Sequence, residues 1–394
     1  MSRQLISRSL DLAQLWAEGY DVEVRPGHLL VKNVPYVNSR KEIAYGTLVS
    51  VLTEAGGVTA VPADHVAKFV GEHPCYADGT ELYRIKHQSQ TETLDRGLVV
   101  QHSFSAKPVT GGYKDYYEKM TTYISIISAP AESIDPTVTA RPCRFIPAES
   151  PEDVFNYHDT ASSRAGIMAV SRKLELARVA IVGLGGSGSY VLDLVAKTPV
   201  REIHLFDGDR FLQHNAFRSP GAPSVVELQQ IPLKVSHFRR LYSEMHRGII
   251  AHDIYVDDAN VDAVAEMDFV FLCLDRGEAK RLIVAKLEAA NKPFIDVGLG
   301  VHLDNGYLGG ILRVTTSTPQ KRDHVKALGR IPFSDGGAND DYNRNIQVAD
   351  LNALNAALAV VKWKKLLGFY RDLDQEHFSV YTIDGNALLN EDRP

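Results

Sequence analysis

The order of hydrophobic and polar residues differs between the two parts of the chain. Before residue 150, some segments have the apolar spacing of a helix and others read as extended strands. Residues 4–18 have helical spacing, residues 21–37 (DVEVRPGHLLVKNVPYV) read as two extended runs around Pro26-Gly27, and residues 113–128 (YKDYYEKMTTYISIIS) place aromatic residues at helical intervals. We therefore predict an α+β accessory domain over residues 1–150.

A stretch rich in proline, acids and small polar residues, 134–164, separates this region from an alternating pattern. Short apolar runs predict strands in ARVAIVG, REIHLFD, IIAHDIYV, DFVFLCLD and PFIDVGL, with amphipathic helices between them. Apolar strands that alternate with helices are typical of a parallel sheet covered on both faces. Residues 151–394 are therefore predicted to form a doubly wound, mostly parallel α/β domain of Rossmann-like architecture.

The last predicted helix, residues 343–370, carries an apolar stripe. The stripe consists of Leu351, Leu354, Leu358 and Val361. We expect it to pack on the domain's own sheet or on a second subunit.

Composition narrows the possible functions. The chain has 394 residues, with 43 Lys+Arg against 49 Asp+Glu and a formal net charge of −6, which argues against a general nucleic-acid binder. No run approaches the ~18 apolar residues of a membrane span, and the N-terminus lacks the apolar core of a signal peptide. The three cysteines form no C-x-x-C pair, so we expect no zinc site and a cytoplasmic location.

A glycine-rich loop follows the first strand of the second region. The strand ARVAIVG continues into GLGGSG at 183–188, with glycines at Gly183, Gly185, Gly186 and Gly188, and a helix follows. Glycine permits the tight turn and the close approach of a phosphate, and the helix N-terminus attracts an anion. The loop therefore predicts a nucleotide site, although a glycine turn that serves only packing is the alternative reading.

Charged residues after the loop distinguish among nucleotides. Asp207 ends the second strand, where a carboxylate accepts hydrogen bonds from the ribose of NAD or ATP. Asn215, Arg218 and Lys234 follow it, and a triphosphate needs such a set because several charged oxygens must be held. We therefore favour ATP. The alternative is a set of surface charges that cap helices and strand ends.

Two further carboxylates complete the predicted site. Asp209, two residues after Asp207, is counted among the nucleotide-binding residues. Asp275 ends the fourth strand at the edge where such sheets bind ligands, and a carboxylate that faces phosphates is suited to Mg²⁺.

These motifs resemble the ThiF/MoeB/HesA adenylating superfamily, which includes ubiquitin-activating enzymes. The shared pattern is GLGGSG at 183–188, DGDRFLQHNAFR at 207–218, Lys234 and Asp275, within a resemblance over about residues 160–315. It implies that Asp207 binds the ribose, that Asn215, Arg218 and Lys234 bind the phosphates, and that Asp275 holds Mg²⁺. It also implies a homodimer in which an arginine, here Arg164, reaches the partner subunit's ATP.

The resemblance implies a reaction as well. A carboxylate attacks the α-phosphate of ATP and gives an acyl-adenylate and pyrophosphate, the carboxylate being the C-terminal glycine of a ubiquitin-like protein. The segment GHLLVKNVPYVNSRKEIAYGTLVSVL resembles N-terminal segments fused to such enzymes in bacterial operons with ubiquitin-like proteins and conjugation factors. It implies recognition of the ubiquitin-like protein or of a conjugating-enzyme-like partner, and a role in phage defence.

The sequence departs from the family in its cysteines. No cysteine follows Cys273, which lies in an apolar strand run, so a thioester on the adenylation domain is not expected. Either the adenylate passes directly to another protein, or a hydroxyl in the predicted crossover loop, Ser317 or Ser334, accepts the acyl group. Cys75 and Cys143 are candidate acyl-accepting thiols in the accessory region, and structural roles are preferred for both.

Two other function classes stay open at this point. A NAD-dependent oxidoreductase is compatible with the glycine loop and Asp207 alone. A non-catalytic dimeric scaffold of the same fold is compatible with every motif.

Overall fold

The computed structural model describes residues 5–6, 8–95, 97–143, 153–157, 159, 161–162, 167–333 and 346–393. The chain divides into two compact units, Met1–Pro147 with His158–Met168, and Ala148–Tyr157 with Ala169–Pro394. The boundary at residue 150 stays a prediction. Arg164 and Ser334 lie outside the described residues.

The first unit is built on a six-stranded antiparallel sheet with the order β1-β2-β3-β6-β8-β7. Its strands are β1 (Asp21–Arg25), β2 (His28–Val37), β3 (Ile43–Val51), β6 (Val66–Val70), β7 (Lys86–Asp95) and β8 (Leu98–Ser105). A small ribbon of β4 (Glu54–Ala55) and β5 (Val58–Thr59) and the helices α1 (Leu10–Ala17) and α2 (Tyr116–Ile134) complete it. The α+β class and the hairpin at Pro26-Gly27 are confirmed.

Helix α2 supplies the core of this unit. Tyr116, Met120, Tyr123 and Ile127 are all fully buried, which confirms the predicted aromatic face. The Tyr123 hydroxyl accepts a hydrogen bond from the Ala106 backbone N–H at 2.7 Å, so the aromatic face also satisfies buried backbone.

The two cysteines of the first unit differ in exposure. Cys75 is fully buried, its thiol donates to the His73 carbonyl at 3.3 Å, and burial raises its pKa. The buried thiol agrees with the preferred structural role of Cys75, whose backbone bridges to Val37 and Glu81, and not with a role as an acyl acceptor. Cys143 is exposed, with a positive φ of 46°.

The second unit contains an eight-stranded sheet with the order β11-β10-β9-β12-β13-β14-β15-β16. Its strands are β9 (Arg178–Val182), β10 (Glu202–Phe206), β11 (Ile249–His252), β12 (Phe269–Leu272), β13 (Phe294–Asp304), β14 (Tyr307–Ser317), β15 (Phe378–Thr382) and β16 (Ala387–Glu391). The first five strands in this order are parallel and the last three pair antiparallel.

Helices connect these strands. They are α3 (Met168–Ser171) with a 3₁₀ turn (Arg172–Leu174), α4 (Gly186–Val195), α5 (Gln213–Ala216), α6 (Val225–Gln229), α7 (Lys234–Ser243), α8 (Val261–Ala265), α9 (Gly277–Ala289), α10 (Asp323–Ala327) and α11 (Ala349–Leu366). Separate apolar clusters cover the two faces of the sheet, so the predicted doubly wound, mostly parallel fold is confirmed. Among the described helices, none has both the length and the apolar character of a membrane span.

The strand order reverses beside β9. The chain runs outward from β9 to β10 and β11, then returns to place β12 on the other side of β9. In open parallel sheets the crevice outside the carboxyl ends of the strands at such a reversal is where ligands bind. The glycine loop, Asp207 and Asp275 all lie just after these carboxyl ends.

The prediction that Ser317 lies in a crossover loop is wrong. This residue ends strand β14, pairs with Phe294 of β13 and is fully buried. Strands β13 and β14 form a long hairpin whose turn contains Asn305 and Gly306, both at positive φ. A buried strand hydroxyl is not placed to accept an acyl group, so Ser317 is withdrawn as an acceptor.

The predicted leucine stripe of helix α11 is partly exposed. Leu354 and Val361, in the predicted stripe, are 36% and 41% exposed. The buried side instead carries Asn352, Asn355 and Trp363, together with small residues. The leucine stripe therefore does not pack on the domain's own sheet as a continuous surface, and two buried asparagines occupy the core-facing side.

Asp11 links the first helix to the core of the first unit. Its carboxylate accepts hydrogen bonds from the Thr59 hydroxyl at 2.6 Å and from the Tyr116 backbone N–H at 3.0 Å.

We predict that Asp11→Ala lowers the free energy of unfolding by about 2 kcal/mol, because buried donors lose their acceptor. Gln14→Ala, at an exposed position of the same helix, is the control and is expected to change stability by less than about 0.5 kcal/mol. Urea unfolding of the full chain measures both, and equal effects would contradict the prediction.

Candidate nucleotide site

A cavity of about 350 Å³ opens at the carboxyl edge of the sheet, beside the strand-order reversal. It contains most of the residues that the sequence singles out. Those that line it are Gly183, Gly185, Gly186, Asp207, Asp209, Arg218, Lys234 and Asp275. Among the described residues that line the cavity, five side chains are cationic and three are carboxylates, so its wall carries a net positive charge.

The glycine loop needs its glycines for different reasons. Gly183 has φ +90°, and a Cβ there would lie 2.8 Å from the Cys273 carbonyl oxygen. A Cβ at Gly188 would lie 1.9 Å from the Gly183 carbonyl oxygen, so this residue serves the packing of α4 on the loop and does not line the cavity. A Cβ at Gly185 would meet no protein atom within 4 Å. Gly185 therefore leaves space on the cavity side, where a phosphate can approach the backbone.

Asp207 fixes the loop to the end of strand β10. One carboxylate oxygen accepts from the Leu184 backbone N–H at 2.7 Å, and the other accepts from the Asp209 backbone N–H at 2.8 Å. Its side chain is only 8% exposed, and Lys234 Nζ lies 3.5 Å away. The Asp207 carboxylate is thus committed mainly to the backbone around it.

Asp209 is the more accessible carboxylate of this pair, with its side chain 51% exposed. It accepts from Lys234 Nζ at 2.6 Å and from the Tyr255 hydroxyl at 2.5 Å. Burial alone would raise the pKa of Asp209, but these two hydrogen bonds outweigh burial and lower its pKa. Both acids therefore hold Lys234 at the cavity wall.

Arg218 and Asp275 lie together on the same wall. Burial lowers the pKa of Arg218, and the Asp275 carboxylate opposes that shift. The Nε atom of Arg218 is buried and has no hydrogen-bond partner among the described residues. A guanidinium in this state has donors available for an anion. Asp275 is an exposed carboxylate at the cavity mouth.

A second charged group, which the sequence reasoning missed, lies in the same cavity. Lys280 Nζ and Arg313 Nη2 each lie 2.7 Å from the carboxylate of Asp296, which is fully buried. One carboxylate therefore faces two cations, and both cations line the cavity. The signal in the sequence is Asp296 itself, an acid within the apolar run PFIDVGL.

Asn215, like Gly188, does not line the cavity. Asn215 is 3% exposed, and its side-chain oxygen accepts from the Leu212 backbone N–H at 2.8 Å, which caps the short helix α5. Its role toward phosphates stays a prediction, as does that of Arg164, which lies outside the described residues. Cys273 follows β12 and lines the cavity, and burial raises the pKa of its thiol, so it is not an activated nucleophile.

Carboxylates are the metal ligands that this site offers. The described residues contain no cluster of three or more His, Cys, Asp or Glu side chains that could hold a metal ion. A magnesium ion that arrives with a nucleotide needs only one or two protein carboxylates, because phosphates and water supply its other ligands. Asp275, at the cavity wall, fits that requirement.

Comparisons with known proteins agree with this picture. A model of the ThiF family matches residues 161–367, and a model of a domain of unknown function, DUF6791, matches residues 10–160. A sequence comparison with curated proteins finds no match.

The solved structures with a similar fold have low sequence identity to this chain. PaaA is 15% identical with a TM-score of 0.43, over 57% of this chain and 66% of its own. E. coli MccB is 19% identical with a TM-score of 0.46, over 59% and 67%. E. coli MccB with ATP is 18% identical with a TM-score of 0.43, over 59% and 69%. The family model spans more than half of the chain. The chain therefore belongs to the ThiF family, a family of adenylyltransferase-type enzymes.

Proposed function

We propose that this protein uses ATP to adenylate the C-terminal carboxylate of a ubiquitin-like protein. The observation that carries the proposal is a glycine loop and a surplus of cationic side chains around one cavity, with a buried Arg218 donor that has no partner among the described residues. Three phosphates need such a surplus, whereas NAD carries only two bridging phosphate groups. The net positive wall therefore favours ATP over NAD.

The nucleotide occupies the cavity with its two ends on different walls. The phosphates face the loop glycines, Arg218 and Lys234, where the first turn of α4 offers backbone N–H groups. The base faces a less polar wall that includes Tyr255 and Leu274. Asp209 is the better ribose acceptor because it is more exposed than Asp207, which instead holds the loop.

Adenylation requires no protein base at this site. The attacking carboxylate is already ionised, so its oxygen forms a bond to the α-phosphorus while the bond to the bridging oxygen of pyrophosphate breaks. Arg218 and Lys234 neutralise the charge that develops on the departing pyrophosphate. Asp275 would hold Mg²⁺, which supplies further neutralisation of the phosphates when bound. The protein therefore contributes position and charge.

The group of Lys280, Asp296 and Arg313 suits the acyl end of the cavity. Its net positive charge attracts a carboxylate, and the absence of a side chain at Gly298 lets Arg313 lie close to strand β13. A Cβ at Gly298 would lie 2.6 Å from Arg313 Nη2, so the arginine fills that space.

The acceptor and the partners follow from the same proposal. A buried Ser317 and the raised pKa of the Cys273 thiol favour direct passage of the adenylate to another protein, such as a conjugating-enzyme-like partner. The first unit is proposed to recognise the ubiquitin-like protein or that partner, in a defence pathway. A homodimer, with Arg164 in trans, is part of the proposal.

Pyrophosphate exchange tests the function. We expect isotope exchange between pyrophosphate and ATP with at least one of a panel of ubiquitin-like proteins that end in glycine. The C-terminal amide of the same protein should give none, since it has no ionised nucleophile. Arg218→Ala should lower the exchange rate about a hundredfold. Arg240→Ala, an exposed arginine on α7, is the matched control and should leave it unchanged. Exchange with the C-terminally amidated protein would overturn the proposal. The absence of exchange with every member of the panel would overturn it as well.

The role of Asp275 is tested by nucleotide binding alone. Calorimetry of the full chain should show that Mg²⁺ strengthens ATP binding at least about tenfold, and that Asp275→Asn abolishes this gain because a neutral amide is a poor magnesium ligand. Glu278→Gln, an exposed acid three residues away, should keep the gain. If Mg²⁺ strengthens ATP binding to Asp275→Asn as much as to the wild type, Asp275 is not a magnesium ligand.

A further inference from the structure

Two buried asparagines on α11 contact opposite ends of the cavity wall. Asn352 and Asn355 lie one turn apart and are 1% and 0% exposed. Their neighbours on the same face of the helix, Ala356, Ala359 and Trp363, are what a core-facing helix ordinarily carries. Burying an amide costs free energy unless its polar atoms are satisfied, so each asparagine needs a local reason.

Asn352 contacts the glycine loop from the side away from the cavity. Its side-chain oxygen accepts a hydrogen bond from the Ser187 hydroxyl at 3.0 Å. Its amide also lies against Gly186, where a Cβ would come within 2.1 Å of Asn352 Nδ2. Gly186 and Ser187 form the first turn of α4 and line the cavity, whereas Asn352 does not. Asn352 thus supports the turn whose backbone N–H groups face the phosphates.

Asn355 makes the corresponding contact at the acyl end. Its Nδ2 donates to the Gly298 carbonyl at 3.0 Å, and Gly298 lines the cavity beside Arg313. One rigid helix therefore contacts the phosphate loop and strand β13 through side chains three residues apart. The spacing of the two contacts along α11 is fixed by the helix itself.

Each of the two asparagine side chains has one polar atom without a hydrogen bond among the described residues. Asn352 Nδ2 and Asn355 Oδ1 are buried and have no hydrogen-bond partner among the described residues. Each such atom has left its hydrogen bonds to water without a replacement, which destabilises the fold. Leucine would fill these positions without that cost, so core packing alone does not account for either asparagine.

We propose that Asn352 is a positioning residue for the nucleotide. Through Ser187 and Gly186 it holds the first turn of α4 in the conformation that binds the phosphates of ATP. Asn355 performs no such role toward the nucleotide, because its contact is to Gly298. This inference rests on the proposed function and adds to it the residue that keeps the phosphate loop in place.

Binding of AMPCPP and of adenosine to the full chain, measured by calorimetry, tests the inference. Asn352→Ala should weaken AMPCPP binding about tenfold and leave adenosine binding within about twofold, because only the phosphates contact the supported turn. Asn355→Ala, an identical truncation at an equally buried position of the same helix, should leave the affinity for both ligands within about twofold.

A double-mutant cycle tests whether Asn352 acts through Ser187. Ser187→Ala should weaken AMPCPP binding on its own, and adding Asn352→Ala should weaken it little further. Additive effects, an unchanged AMPCPP affinity in Asn352→Ala, or an equal loss of adenosine binding would overturn the inference. If Asn352→Ala does not fold, Ser187→Ala with unchanged AMPCPP affinity would overturn it equally. A wild-type chain that binds no AMPCPP would instead overturn the proposed function, and this inference with it.

Discussion

The Asp207 carboxylate connects the segments that build the nucleotide cavity. It accepts from the backbone of the glycine loop at Leu184, from the backbone at Asp209 after strand β10, and lies 3.5 Å from Lys234 at the start of α7. Backbone hydrogen bonds reinforce these links, since the Gly183 N–H donates to the Phe206 carbonyl at 2.8 Å and the Lys234 N–H donates to the Asp209 carbonyl at 2.9 Å. Because the oxygens of Asp207 are committed to these contacts, we propose the more exposed Asp209 as the carboxylate that binds the ribose.

Charge explains why the cavity suits a triphosphate. Buried cations without matching anions destabilise a fold, so a surplus of them around one cavity indicates that an anionic ligand completes the balance. Arg218 is the clearest case, with a buried donor that the described residues leave unpaired. Lys280 and Arg313, which share the single carboxylate of Asp296, extend the same imbalance toward the acyl end.

Much of this fold follows from local pattern, and the errors have physical causes. The parallel strands and the glycine loop were predicted because each is coded by a continuous run of residues. The β13–β14 hairpin is missing from the prediction although Asn305-Gly306 is a strong turn signal, because the strand pattern was followed only as far as PFIDVGL. Helical spacing predicts the leucine stripe on α11 but not its partner, and the sequence did not indicate that two asparagines face the core. Lys280, Asp296 and Arg313 could not be grouped from sequence, since they meet only when α9, β13 and β14 come together.

The central claim is that these cations surround a triphosphate. A crystal structure of the full chain grown with AMPCPP and Mg²⁺ tests it most directly. We expect the phosphates to lie against the first turn of α4 with Arg218 and Lys234 in contact with them, and the metal on Asp275. A nucleotide bound elsewhere, or one whose phosphates point away from both Arg218 and Lys234, would contradict the account.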